Sequence, residues 1–416
     1  MSTDEPVPRL WSSRAFLLLW TATVASNLGT QVQSVASAWL MTDIGSSAQV
    51  ALIQSLISLP LMILALPTGV LADVFDRWRL IAFAYFLMFA AALAAACAGF
   101  GQGMTPVLLL LLCFLFGSGQ AFFGPTSMAA VRDSVHASLI AAGVAALSIA
   151  FNLARCLGPA LGGGLVAAGG ASWAFAINAG MCGCVLLLLL AMPRAPVGKE
   201  RQRPALLALL VEGLRYSVVD RPMRVIALRM FAFTASASPI WALLPLLARV
   251  QLHGTAVTYG ITMSALGIGA LAISFCIRPL LERFSGETIF RCCNAVSALA
   301  LLSLPLTSHW LIAAIQLFAA GAAWVASLTI FNIAAQSNAP TPMVGRAIGI
   351  FYSSVFGGLT IGSALFGHIV ETSSLTSAFL LSGGLVVLTL ISGIAWPVPV
   401  PSALSLPLEP REAPCT

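Results

Sequence analysis

Arg155 stands in the middle of an otherwise apolar stretch, Asn152-Leu-Ala-Arg155-Cys-Leu-Gly158-Pro159-Ala-Leu-Gly162-Gly163-Gly164. A charge in such a setting is costly, so it calls for an account. It is either a cationic contact for an anionic ligand or proton-coupling partner, or an Arg satisfied by backbone carbonyls or Asn152. Amides and hydroxyls recur elsewhere at helical spacing. Asn27, Gln31 and Ser34 form one stripe, Gln54 and Ser58 a second, and Asn332 and Gln336 a third. Such stripes either line a polar cavity or hydrogen-bond neighbouring helices together. The residues expected to contact a substrate are Asn27, Gln31, Gln54, Phe123, Arg155, Trp241, Asn332 and Tyr352.

Nothing beside them points to catalysis, a metal or a cofactor. Cys182-x-Cys184 and Cys292-Cys293 lack His or further Cys at metal-ligand spacing. All of the nine cysteines except Cys415 sit in or beside apolar segments, as small hydrophobes do. No Asp or Glu lies well inside an apolar segment; Asp43 and Glu371 sit at segment ends. Arg229 lies about a turn inside its segment and is expected to snorkel to the surface. His368 either titrates near neutrality or serves a structural role.

The elements that must hold these residues are membrane helices. Of 416 residues 59% are hydrophobic and 8% charged, whereas a soluble domain carries about 25% charged residues. The apolar residues come in runs of the roughly 20 residues a helix needs to cross the hydrocarbon. Twelve spans are expected, at 16–40, 48–72, 79–100, 105–130, 140–168, 173–192, 223–248, 256–280, 288–307, 309–334, 345–370 and 376–396. The acidic start (Asp4, Glu5) does not read as a cleavable signal peptide, so the first segment is expected to be retained. The net charge of +6 is almost all Arg in a few loops, with no basic groove interleaved with aromatics, which argues against nucleic acid.

Counting loops alternately, one side holds Arg9, Arg14, Arg77, Arg79, Arg132, Arg278, Arg283, Arg291, Arg346, Arg411 and the basic residues of 193–222. The other side holds little beyond Arg249. Basic loops stay cytoplasmic, which puts both termini and the central connection inside. The expected organisation is a cytoplasmic segment 1–15, a six-helix bundle 16–192, a cytoplasmic linker 193–222, a second six-helix bundle 223–396 and a Pro-rich cytoplasmic tail 397–416. A weak repeat supports the division: Ala72-Asp73-Val74-Phe75 after the second span resembles Leu281-Glu282-Arg283-Phe284 after the eighth. Paired halves place a substrate cavity at their interface near the midplane.

Gly69-Val-Leu-Ala-Asp73-Val-Phe-Asp76-Arg77-Trp-Arg79 resembles the signature loop of the major facilitator superfamily, with Val74 and Asp76 as departures. That resemblance implies an all-α fold of two six-helix pseudo-repeats and a cytoplasmic latch of Gly69, Asp73 and Arg77. An alternative is a solvated charge run that only sets topology. Gly158-Pro159-x-x-Gly162-Gly163 resembles the fifth-helix motif of antiporter branches, implying a pivot and export; ordinary tight packing is the other reading. Ser26-Asn27-Leu-Gly29, Gly124-Pro125-Thr and Gly357-Gly358-Leu-Thr-Ile-Gly362 resemble the siderophore-exporter (enterobactin-exporter-like) branch. The resemblance implies a bacterial inner-membrane exporter, driven by proton antiport, of a siderophore or, alternatively, of lipophilic drugs. Amide stripes and Arg155 suit an oxygen-rich, anionic siderophore. A cationic-drug pump would favour a buried carboxylate, and none is apparent.

Overall fold

In hydrocarbon the backbone has no water to bond, so each crossing segment must satisfy its own N–H and C=O groups as a helix. The computed structural model describes residues 10–191, 215–216, 219–340 and 343–397. The long helices are α1 (Arg14–Ile44), α2 (Ser47–Val74), α3 (Arg77–Phe100), α4 (Pro106–Ser134), α5 (Ile140–Gly169) and α6 (Ala171–Ala191). They continue with α7 (Arg221–Gln251), then α8 (Ala256–Arg283), α9 (Gly286–Ser303), α10 (Trp310–Asn338), α11 (Val344–Thr372) and α12 (Leu375–Ala395). No strand occurs among the described residues. Ten of the described segments are long and apolar enough to cross a bilayer, and α12 adds a shorter apolar stretch, Leu375–Ile391. The expected linker 193–222 and the two terminal segments fall largely outside the described residues.

The helices overrun the apolar runs by a few residues because polar caps, and not lipid, end them. Ser46 and Gln49 form a reciprocal capping box at α2. Asp76 caps α3 by accepting from the Arg79 N–H at 3.0 Å, and Asp220 caps α7 by accepting from the Met223 N–H at 2.9 Å. The α7 segment is interrupted. Pro239 and Pro245 lack the N–H that an interior helix position must donate, and the chain recovers through short turns and a π-helical turn at Leu247–Gln251.

Within the first six helices, α1 packs on α5 and α6, and α4 packs on α2 and α3. Within the last six, α11 packs on α7, α8 on α10, and α9 on α12. The two sets meet chiefly through α2 against α11 and α5 against α8.

Arg229 overturns its sequence reading. It does not snorkel: it is 5% exposed. Its guanidinium donates to both carboxylate oxygens of Glu287, at 2.6 and 3.1 Å, and to the Trp396 carbonyl at 2.9 Å. The rings of Phe290 and Phe331 cover it. Arg291 donates to the same Glu287 at 3.0 Å and to the Gly393 carbonyl at 3.1 Å. A carboxylate shared by two guanidiniums removes the cost that would drive Arg229 to water. The network ties α7, α9 and α12 together at one end.

Candidate functional site

The polar residues of α1 divide by face. Ser26 and Thr30 accept from the Gln120 amide of α4, and Gln33 accepts from Asn178 of α6 at 3.0 Å. These are the bonds that hold the helices together. Gln31 points elsewhere: it lies against Gly158 of α5, where an added Cβ would come 2.6 Å from the Gln31 Cβ. Asn27, one turn before it, returns its amide N–H to the Thr23 carbonyl. Gln31 and Asn27 are both half-buried.

On α5, Phe151, Arg155, Gly158 and Gly162 fall on one stripe at 3.6 residues per turn. Leu153, Leu157 and Leu161 form the lipid-facing stripe, each half exposed. Arg155 sits at the middle of its 30-residue helix, so it stands roughly 20 Å from either end. It is half-buried, and its guanidinium lies 5.6 Å from the Phe151 ring centroid. Among the described residues it has no hydrogen-bond or ion-pair partner. Every described Asp and Glu lies in the first or last turn of a helix or in a connection. Among the described residues no carboxylate along these helices offsets the Arg155 charge.

Pro159 has no N–H to give the Arg155 carbonyl, four residues back, and that carbonyl meets α8 instead. A Cβ on Gly267 would lie 2.3 Å from the Arg155 oxygen. Only a glycine lets α8 come this close, and its Cα–H groups face the freed acceptor. One turn on, Ala160 N–H donates to Ser264 Oγ at 3.0 Å. Gly163 and Gly260 meet likewise, the Pro159 carbonyl lying 2.4 Å from a Cβ built on Gly260. Gly158-Pro159-x-x-Gly162-Gly163 thus lies where α5 meets α1 on one face and α8 on the other.

The second seam, α2 against α11, is built the same way. Ser55 donates to the Thr360 carbonyl at 2.8 Å, and Gly367 lies against Ala48 and Ala51. At this same end Arg249 of α7 bonds Asp43 and Thr42 of α1 and lies over the Trp39 ring. Trp39 in turn stacks on Tyr259 of α8. A small cavity below is lined by Ser34, Gln54, Trp241, Tyr259 and Met263, which brings Gln54 and Trp241 together. Gln54 donates to Ser58 at 2.9 Å, and Trp241 packs on Trp324 with centroids 4.0 Å apart.

Toward the opposite end the interior is exposed. Tyr352 is 40% exposed on the face of α11 opposite the lipid-facing Ile361 and Leu365, and it stacks on Phe356. Phe151 is 43% exposed on the stripe that faces α1 higher up. The two halves thus close at the Arg249 end and part toward the Asp73 end.

One expected contact stands apart, and another lies toward the open end. Phe123 is 3% exposed and packs edge-on to Tyr85 in the core of the first half, so it does not reach the shared interior. Asn332 bonds Gln336 on its own helix, near the end of α10. At the latch, Asp73 falls in the last turn of α2, with its side chain outside the described part. Arg77 donates to Asp133 at 2.7 Å and to the Ala129 carbonyl at 3.1 Å, a cation at the C-terminus of α4. His368 is exposed on α11.

Sequence reasoning missed Trp324, the Arg229–Glu287–Arg291 network and the Arg249–Asp43 pair. Only the last left a trace: one Arg and one Asp, each alone at its own segment end on the same side.

Two helical halves closing at one end around a polar interior define a secondary transporter of the major facilitator fold. The nucleoside transporter NupG superposes with a TM-score of 0.75 at 14% identity, over 92% of this chain and 99% of that one. A D-xylose-proton symporter gives 0.70 at 15% identity, over 93% and 97%. These likenesses speak to the fold. Residues 9–414 match the transmembrane secretion effector family, and the chain belongs to it. It is 28% identical over 381 residues to the multidrug efflux pump Tap of Mycobacterium tuberculosis (strain ATCC 25618 / H37Rv), covering 88% of this chain and 89% of Tap. It is 26% identical over 361 residues to the enterobactin exporter EntS of Citrobacter koseri, covering 81% and 83%. The chain is a multi-pass protein of the bacterial inner membrane.

Proposed function

We propose that this protein exports a siderophore across the inner membrane by alternating access, with protons as the counter-ion that the family resemblance implies. The observation that carries the reading is a polar interior closed at one end only. In this reading Asn27, Gln31 and Arg155 from the first half and Trp241 and Tyr352 from the second line that interior, below helix seams that part. Siderophores bear dense oxygen donors and often negative charge, which suits amides beside a cation. The similarity to EntS supports this reading, and the similarity to Tap supports efflux of lipophilic drugs as the second.

In this reading residues 16–192 and 223–396 are the rocking bundles and 193–222 is the cytoplasmic linker. Segments 1–15 and 397–416 are cytoplasmic, and the Asp73 end faces the cell interior. Gly69, Asp73 and Arg77 act as the latch of the opposite state, and Gly158, Pro159, Gly162 and Gly163 as the pivot. Asn332 and Phe123 have no role in the closed-end cavity.

The test is to delete the gene, starve the cells of iron and measure siderophore inside and outside. Retention inside, relieved by the intact gene, is expected. Unchanged secretion with new drug sensitivity moves the assignment to multidrug efflux. Direction is checked in everted vesicles, where accumulation is expected for an exporter.

A further inference from the structure

We propose that Arg155 and Gln31 form the seat for an oxyanion, so that the transported molecule is an organic anion bearing a planar ring. This deepens the export reading and rests on it.

A guanidinium halfway along a membrane-spanning helix is expensive unless it is paired, and such residues mark substrate or ion pathways. The structure holds a direct comparison. Arg229, in the same chain, is ion-paired with Glu287 and bonded to the Trp396 carbonyl. Among the described residues Arg155 has only the Phe151 ring, and every described carboxylate is near a helix end. Its own backbone does not consume it either: the carbonyl that Pro159 frees is covered by Gly267 of α8. Helical side chains lean toward the N-terminus, so the guanidinium hangs toward the side where the halves part.

Gln31 supplies the second donor. It rests on Gly158, three residues beyond Arg155 on the same stripe, which places it about one helical turn away. No described residue bonds its amide, in contrast to Gln33 and Gln120 on the neighbouring faces. An oxyanion that comes between the Arg155 guanidinium and the Gln31 carboxamide meets several N–H donors and one positive charge. Carboxylate, sulfonate and phenolate groups all answer to that chemistry, and bonds to a charged partner are about twice as strong as neutral ones. Across the interior, Tyr352 stacks on Phe356 and Trp241 packs on Trp324. These rings receive a planar apolar body, with orientation set by the anion at Arg155. A cation would be repelled by Arg155, with no carboxylate among the described residues of these helix interiors to offset it.

The probes are 8-anilinonaphthalene-1-sulfonate and N-phenyl-1-naphthylamine, which share one ring skeleton and differ in the sulfonate. Their saturable binding is measured on the full-length protein in nanodiscs of zwitterionic lipid, for wild type, Arg155→Gln and Arg155→Lys. Wild type is expected to bind the sulfonate more tightly than the neutral amine. Arg155→Gln should lose about tenfold or more in sulfonate affinity and keep its affinity for the amine, while Arg155→Lys retains part of the sulfonate affinity. Equal binding of both probes by wild type overturns the proposal, as does sulfonate binding unchanged by Arg155→Gln or the absence of saturable binding. A parallel loss of both probes in Arg155→Gln, with the thermal transition unchanged, also overturns it, because the Arg would then only shape the cavity. Export is scored separately in cells. If wild type secretes siderophore and Arg155→Gln secretes equally well, the anion seat fails while the export reading stands. If wild type exports neither siderophore nor drugs, the export reading itself fails.

Discussion

At the scale of single residues, Arg155 and Arg229 are membrane-embedded arginines with opposite situations. Arg229 shares Glu287 with Arg291 and is roofed by Phe290 and Phe331. Breaking such a buried pair from one side leaves an uncompensated charge, at a cost of about 3–5 kcal/mol. Glu287→Gln is therefore expected to lower the unfolding transition of the purified protein markedly. Arg229→Met together with Glu287→Leu should recover much of the loss, because the charge left over, Arg291, is 41% exposed and reaches water. An Arg229→Met single variant as stable as wild type would show that the network contributes little. Arg155 should behave differently. With no protein partner to strand, Arg155→Gln is expected to leave the same transition within a few degrees of wild type.

The helices carry the next level of control. The closed end depends on Arg249 bonding Asp43 and Thr42 and covering Trp39, which stacks on Tyr259. Both charges are about 40% exposed, and exposed pairs contribute about 0.2–1 kcal/mol. Asp43→Asn should therefore shift the balance of states by up to about fivefold toward opening at this end. The readout is labelling of a cysteine placed at Ser34, in a background without native cysteines, by a membrane-impermeant maleimide added outside. Unchanged labelling would mean that the helix seams alone hold this end shut.

The helix ranges were legible in the sequence to within a few residues, because apolar run length is a local property. The interruption of α7 was not drawn from Pro239 and Pro245, although both stand in plain sight. Pairings between distant segments were not legible. Arg229 was judged by its depth in its own helix, but its partner Glu287 sits at the start of α9 and looks, in sequence, like part of a loop. The α1 stripe was ambiguous between glue and lining for a related reason. Which face each residue takes depends on whether α4, α5 or α6 lies beside it. The burial of Phe123 on Tyr85 is not legible in the sequence, because an aromatic in a membrane helix packs equally well on a neighbouring ring or on a substrate.

For the molecule as a whole, transport requires that the end now closed must open in the other state. The α2–α11 seam is the place to test this, since Ser55 bonds the Thr360 backbone and Gly367 rests on Ala51. A Cβ on Gly367 would lie 2.7 Å from that of Ala51, so cysteines at both positions, with slight separation of the helices, are within disulfide reach. In a background lacking the native cysteines, Ala51→Cys with Gly367→Cys should cross-link on mild oxidation. If the halves rock about the Gly158–Gly163 region, the cross-link pins one end shut and leaves substrate access from the other. Binding of the aromatic sulfonate should then persist while transport in proteoliposomes stops, and a reducing agent should restore it. Separating binding from transport in this way distinguishes a locked carrier from a damaged one. Full transport by the cross-linked protein would show that this seam never parts, and the opening would have to be sought between other helices.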